Sequence, residues 1–204
     1  MLFRSCAFVR SRPELDLPDL ELTITPWSFE AGKVGVLERK PGMSIVAFQL
    51  RPESRGSIHL KTPDPKVPPA IRPNYLATAT DRRVLIDGLR LARRIAQSPE
   101  IDPYRGEQIW PAPHLSSDDE LLRHAHETGG SVGHLAGTCK MGPDNDPMAV
   151  VDGECRVRGL EGLRVVDASV MPNLIGGNTN APTIMIAEKG ADMLRADARA
   201  RLAA

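Results

Sequence analysis

The sequence predicts an α+β fold, in which helices cover one face of a mainly antiparallel sheet. Apolar residues alternate with polar ones at Leu20, Leu22 and Ile24, which is the period of a half-buried strand. A second strand is predicted by the apolar run at residues 43–50, which is rich in strand-forming residues. Helical spacing of apolar residues begins only after these strands, from Asp81 onward.

Composition indicates a globular domain with an ordinary hydrophobic core. The chain has 204 residues, of which 41% are apolar. The 26 basic residues balance the 26 acidic ones, which argues against nucleic acid as a partner. No apolar run is long enough for a membrane span. The 18 prolines predict long irregular connections between the regular elements.

Cysteine usage and the start of the chain bear on location and metal binding. Cys6, Cys139 and Cys155 are an odd number without CxxC spacing, so we expect neither a disulfide framework nor a metal site. The opening residues carry two positive charges but lack the apolar core of a signal peptide. These features favour a cytoplasmic location.

The first strands are predicted to pair locally. Residues 43–50 and the SIHL run at 57–60 flank the turn-like sequence RPESRG, which favours a hairpin. Residues 62–74 contain five prolines and are predicted to be irregular, because proline removes ladder donors.

Three helices are predicted. The first has Asp81 as its N-cap and ends at Pro99. The second starts at Ser117, which forms a capping box with Glu120, and Gly129 stops it. The third follows a buried strand at residues 162–166; it begins near Pro182 and is capped by Asn180. The alanine-rich tail at 196–204 is expected to fray.

Two glycine-rich segments have the composition of a binding site. Residues 130–142, GSVGHLAGTCKMG, hold one histidine, His134. Residues 162–192 place Asn178, Thr179 and Asn180 directly before a helix, whose unpaired backbone donors favour an electron-rich ligand edge. On the residues alone, however, an isolated loop histidine is more often structural than catalytic.

Both segments resemble the carboxy-terminal signature of glucose-methanol-choline (GMC) oxidoreductases, in the branch that includes choline and alcohol dehydrogenases. The histidine loop ending in GTCKMG and the run LRVVDASVMP followed by GGNTNAPTIMIAEKGAD carry the resemblance. LRPESRGSIHL and NYL match earlier parts of the signature, so the resemblance extends from Phe8 to Leu194.

The resemblance implies FAD-dependent oxidation of the CH–OH group of an alcohol. His134 would be the base that takes the hydroxyl proton, and the hydride would pass to N5 of the flavin. Asn178 would donate a hydrogen bond to the substrate oxygen, since an amide cannot titrate. The alternative for Asn178 is a loop residue that bonds its own backbone. Leu135 departs from the proline that many members have after the histidine.

The resemblance also implies cofactor contacts. Asp167 and Ala168 match the strand end that approaches FAD, and Asn178 lies in the same cofactor-binding set. Thr179 and Asn180 match residues whose backbone touches the flavin ring. The following helix would direct its positive end at the pyrimidine edge of the flavin.

The resemblance divides the chain into a substrate-binding domain at 1–160, a strand-loop-helix at 161–195 and the tail at 196–204. The strand-loop-helix would complete a separate FAD-binding domain. Since the chain has no G-x-G-x-x-G sequence, we expect the amino-terminal FAD-binding half, a Rossmann-like domain, to be supplied in cis or in trans.

Three functional interpretations remain open. The chain is the carboxy-terminal part of an alcohol dehydrogenase or oxidase, active only with its FAD-binding half. Alternatively, it is a non-catalytic fragment or interaction module that keeps the fold. In the third interpretation, it belongs to a hydroxynitrile lyase-like branch that holds FAD without net redox chemistry.

Overall fold

The computed structural model describes residues 5–30 and 36–203. Contacts divide the chain into two compact units, one formed by residues 1–56 and 73–132 and the other by 57–72 and 133–204. Each unit holds one antiparallel sheet, and the described chain contains three α-helices, so the predicted mixed α+β class is confirmed. The functional division at residue 160 stays a prediction.

The sheet of the first unit has three antiparallel strands in the order β1-β2-β3. They are β1 (Ser5–Val9), β2 (Leu20–Thr25) and β3 (Ser44–Gln49). Leu22 in the central strand pairs with Ala7 on one side and Ala47 on the other. This register places Leu20 and Leu22 on one face, and both are almost completely buried. The strand predicted from Leu20, Leu22 and Ile24 is confirmed, but its burial does not alternate, because Glu21, Thr23 and Thr25 on the other face are buried too.

Helix α1 (Ala79–Ala96) covers that face of the sheet. Gly88 allows close packing, because a Cβ there would lie 2.9 Å from Ala47 Cβ and 3.0 Å from Leu20 Cδ2. Helix α2 (Asp118–Thr128) packs against α1 and buries Leu121. Its predicted capping box is present: Ser117 accepts from the backbone of Glu120, and the Glu120 carboxylate accepts from Ser117.

The start of α1 differs from the prediction, because Thr78 and not Asp81 is the N-cap. Asp81 lies in the first turn, and its side chain is 1% exposed. Its carboxylate accepts hydrogen bonds from Gln49 Nε2, the backbone N–H of Glu53, and both the backbone and hydroxyl of Ser54. Asp81 therefore fixes the RPESRG turn to the helix. The helix ends at Ala96, before Pro99, which begins a short 3-10 helix (Pro99–Ile101).

The hairpin predicted between residues 43–50 and 57–60 is wrong. Strand β3 pairs with β2, whereas β4 (Ser57–His59) pairs with β5 (Ala70–Arg72), inside the segment that was predicted to be irregular. The pairing is possible because β5 is only three residues long and lies between the prolines, so each of its residues keeps its N–H.

The second unit is rich in loops and closes on helix α3 (Asn180–Ala203). Its core is formed by Val151, Cys155 and Val170. The expected strand at 162–166 is reduced to one bridge, between Arg164 and Arg156. The N–H of Val157 donates to Leu163 O, and the N–H of Val165 donates to Cys155 O. These two hydrogen bonds pair only one edge of the segment, and they are too few for a regular strand.

Helix α3 begins two residues before Pro182, so Asn180 is its first residue and not its cap. Gly190 lets the helix approach the 162–166 segment, since a Cβ there would lie 2.4 Å from Val166 Cγ1. Arg164 binds Asp197 with an N–O distance of 2.8 Å, which ties the later part of the helix to the same segment. The helix continues through residues 196–203; fraying of that tail stays a prediction.

Candidate active site

The two glycine-rich segments lie against each other in the second unit. The backbone N–H of Cys139 donates to Ser169 O at 3.0 Å, and that of Met141 donates to Val170 O at 2.8 Å. Gly137 has φ of +85°, a conformation that glycine adopts without steric cost. These bonds hold the GTCKMG loop beside the short 3-10 helix Ala168–Val170, and so position the histidine loop relative to the start of α3.

Both ring nitrogens of His134 have side-chain partners from the segment before α3. Nε2 lies 3.1 Å from Asn178 Oδ1, and Nδ1 lies 3.0 Å from Thr179 Oγ1. The two partners are 44 and 45 residues further along the chain. Asn178 is exposed, His134 is partly buried and Thr179 is only 8% exposed. The Nε2 side of the ring is therefore the side that a substrate can approach.

Asn178 Oδ1 and Thr179 Oγ1 face the two ring nitrogens of His134, and this arrangement stabilises the protonated ring. The protonated ring carries an N–H on each nitrogen, and both then have an acceptor within hydrogen-bond distance. Hydrogen bonds from a charged ring are stronger than those between neutral groups. The arrangement can therefore take a proton at Nε2 with both ring N–H groups facing an acceptor.

The beginning of α3 offers backbone donors beside this pair. Thr183 N–H donates to Thr179 O at 3.0 Å, which closes the first turn. Within the part of the chain that the structure describes, the N–H groups of Asn180 and Ala181 have no acceptor, and Pro182 has no N–H. Unpaired donors and the helix dipole give this end a partial positive charge. That charge fits the electron-rich edge of a ligand such as a flavin ring.

The remaining predicted site residues have a more local arrangement. Asp167 precedes the 3-10 helix, and its carboxylate accepts from Ser169 N–H at 2.7 Å. Ala168 is the first residue of that helix and is partly buried. The bonds of Asp167 shape the loop that leads to α3, and its cofactor contact stays a prediction.

The Thr179 side chain is the partner of His134 that sequence reasoning missed. Only its backbone was expected to take part in the site, through contact with the cofactor. Its position directly before α3, with proline three residues later, was the available signal, because Pro182 lacks the N–H that a capping hydroxyl would otherwise bind.

The described residues lack a metal-binding cluster and a membrane-spanning helix. They contain no group of three or more His, Cys, Asp and Glu side chains arranged to hold a metal ion. Across residues 5–30 and 36–203, no helix is long and apolar enough to cross a membrane. His124 lies in the first unit, where its ring contacts the tilted ring of Trp110 and burial lowers its pKa.

Known proteins resemble this chain over most of its length. Residues 52–187 match the family model described as GMC oxidoreductase. An oxygen-dependent choline dehydrogenase of Pseudomonas fluorescens is 45% identical over 194 residues, which is 95% of this chain and 34% of the relative. The oxygen-dependent choline dehydrogenase of Vibrio vulnificus is 42% identical over 192 residues, which is 94% of this chain and 34% of the relative. The chain thus spans about a third of the length of the curated relatives it matches.

Solved structures share the fold. Pyridoxine 4-oxidase from Mesorbium loti superposes with a TM-score of 0.83 at 29% identity, over 93% of this chain and 37% of that one. A formate oxidase variant of Aspergillus oryzae, studied for FAD modification, superposes with a TM-score of 0.77 at 27% identity. The match covers 90% of this chain and 32% of that one. With the family model matching most of the chain and the histidine loop and helix start in place, the chain belongs to the GMC oxidoreductase family.

Proposed function

We propose that this chain forms the carboxy-terminal part of an FAD-dependent oxidoreductase that acts on the CH–OH group of an alcohol. The observation that carries the proposal is the His134–Asn178 pair, with 3.1 Å between Nε2 and Oδ1, on the exposed side of the histidine ring. Family membership supports it, because relatives of this chain include a choline dehydrogenase and a pyridoxine oxidase.

His134 acts as the base. Oxidation of an alcohol removes a proton from oxygen and a hydride from carbon, and Nε2 takes the proton. When FAD is bound, it supplies the hydride acceptor. Asn178 lies beside the same nitrogen, where its amide orients the substrate hydroxyl before proton transfer. Its Oδ1 atom then accepts the new N–H, so the positive charge on the ring is stabilised where it forms.

The residues at the start of α3 would hold the flavin. The N–H groups of Asn180 and Ala181, which have no acceptor among the described residues, fit its electron-rich edge, as the partial positive charge of a helix start favours. Asp167 and Ala168 would contact the cofactor from the preceding loop. We further propose that the rest of FAD is held by a region corresponding to the remaining two-thirds of the relatives' length.

Choline is the first alcohol to test, since the curated relatives are choline dehydrogenases at 45% and 42% identity. The chain would be produced by itself and together with the coding region directly upstream, and the flavin absorbance would be recorded under anaerobic conditions. The proposal predicts flavin binding by the longer protein and bleaching on addition of choline or another primary alcohol.

Two other outcomes would favour the lyase-like interpretation or the non-catalytic one. Flavin that binds but is not bleached by any alcohol, while a cyanohydrin is cleaved, would indicate the lyase-like function. A longer protein that folds without binding flavin would support a non-catalytic module and overturn the proposal.

A further inference from the structure

The Thr179 hydroxyl occupies a position that the proposed chemistry leaves unexplained. Oγ1 lies 3.0 Å from His134 Nδ1, on the side of the ring away from Asn178. The Thr179 residue is 8% exposed, whereas Asn178 is exposed. The two ring nitrogens therefore differ in environment: Nδ1 faces a buried hydroxyl and Nε2 faces the open side of the site.

The local sequence explains why this hydroxyl is available. Thr179 directly precedes α3, the position where a threonine normally accepts from the N–H of the second or third helical residue. The third residue is Pro182, which has no N–H. Released from one of its two usual capping bonds, the hydroxyl turns to His134.

Proton transfer sets the direction of this hydrogen bond. A neutral imidazole has one N–H and one free nitrogen, and the free nitrogen must face the substrate for His134 to act as a base. Substrate can reach Nε2 on the exposed side, so the proton of the reactive ring belongs on Nδ1. Asn178 Oδ1 lies 3.1 Å from Nε2 and is itself an acceptor, so in this tautomer the Asn178 amide presents its NH2 group to Nε2 or to the substrate until Nε2 gains its proton. The acceptor within hydrogen-bond distance of Nδ1 is Thr179 Oγ1.

We infer that Thr179 is a positioning residue, whose hydroxyl accepts the Nδ1–H of His134 and keeps Nε2 free for the alcohol proton. This inference rests on the proposed function of His134. After proton uptake, Nδ1–H still donates to Thr179 while Nε2–H donates to Asn178, so the ring keeps one orientation through the step.

The test is the tautomer of His134, read by nitrogen-15 NMR of the full chain labelled at histidine. The resonance is assigned by its absence in His134→Ala, and the ring is observed at a pH where it is neutral. The inference predicts an N–H on Nδ1 in the unmodified chain. Thr179→Val removes the hydroxyl at nearly constant shape and should move the tautomer equilibrium about tenfold toward Nε2–H, the effect of losing one hydrogen bond. Thr179→Ser should restore the original tautomer.

Thr183→Val is the matched control. It deletes a hydroxyl one turn further along α3 that bonds Thr179 O and not the histidine, so the tautomer should not change. A resting ring that carries its proton on Nε2, or a ratio unaffected by Thr179→Val, would overturn the inference. If circular dichroism shows that the valine variant is unfolded, the unmodified chain and the Thr179→Ser variant still decide the question.

A second measurement uses the flavin-loaded longer protein. Thr179→Val should lower kcat for the alcohol about tenfold with little change in KM, because the base is misoriented while substrate binding persists. Unchanged kcat would contradict the positioning role. Failure of the proposed function would show differently, as flavin reduction that does not depend on His134, whatever tautomer the NMR measurement finds.

Discussion

Replacement of Asn178 by alanine tests the pair at the centre of the proposed site. The change removes an amide whose Oδ1 lies 3.1 Å from His134 Nε2. Asn178 is exposed and contributes little packing, so the free energy of unfolding should change by less than about 0.5 kcal/mol. The effect of the substitution should therefore appear in the reaction rate and not in stability.

The expected loss of rate follows from the kind of hydrogen bond that is removed. While His134 carries the substrate proton, its bond to Asn178 joins a charged donor to a neutral acceptor, which is worth roughly 1.5–3 kcal/mol. Since about 1.4 kcal/mol corresponds to a factor of ten, flavin reduction should slow by roughly 10- to 150-fold.

Anaerobic stopped-flow measurement of flavin reduction in the longer, flavin-loaded protein gives this rate directly. Asn173→Ala is the matched control, because Asn173 is an exposed asparagine in the same loop, outside the site, and should leave the rate unchanged. A rate for Asn178→Ala within a factor of two of the control would refute the role of the amide in stabilising the protonated ring.

Three further predictions concern the stability of the fold. Asp81→Ala should lower the free energy of unfolding by about 3 kcal/mol in urea titrations, because it removes the buried carboxylate that accepts from Gln49, Glu53 and Ser54; a loss below about 1 kcal/mol would contradict this. Backbone hydrogen bonds from Ser116 and Ser117 lower the pKa of Glu120 from 4.5 to about 2, so its contribution to stability is complete above pH 4.5 and is lost as the pH falls toward 2. Glu120→Gln should flatten that part of the stability profile, and an unchanged profile would exclude the capping box as its cause. Gly190→Leu should destabilise the chain by about 2 kcal/mol through overlap with Val166, and Val166→Ala in the same chain should recover part of the loss.

Structural features that depend on one short stretch of sequence could be predicted from that stretch. The capping box at Ser117 and Glu120 needs only four residues, and it is present in the structure. The strand at Leu20–Thr25 was predictable from the spacing of Leu20, Leu22 and Ile24, although Glu21 and Thr23 on its other face are buried too. The match to the family likewise depended on ordered motifs that the chain itself contains, and it is confirmed.

Longer-range pairing could not be predicted from the sequence. Strand β5 lies between prolines, and its three residues are recognised as a strand only because they pair with β4. Asp81 has the composition of an N-cap, but its carboxylate is used by donors about thirty residues earlier in the chain. The strand expected at 162–166 finds a backbone partner along one edge only, so apolar composition overstated its regularity.

In the candidate site, too, local motifs were predictable from the sequence and long-range contacts were not. Motif matching selected His134 and Asn178, and the structure brings their side chains within hydrogen-bond distance. It did not select the Thr179 hydroxyl, because a contact across 45 residues has no local pattern. The absence of a cap donor at Pro182 was a local feature, but its meaning depended on knowing where His134 lies.

The most direct test of the account is the rate of alcohol-dependent flavin reduction in the longer protein with His134→Ala, measured against the unmodified protein at equal flavin content. Removal of a general base costs typically about 10²- to 10⁴-fold. The account predicts a loss in that range with flavin still bound, because the N–H donors at the start of α3 are unchanged. Reduction at the unmodified rate would contradict the assignment of His134 as the base, and with it the central claim.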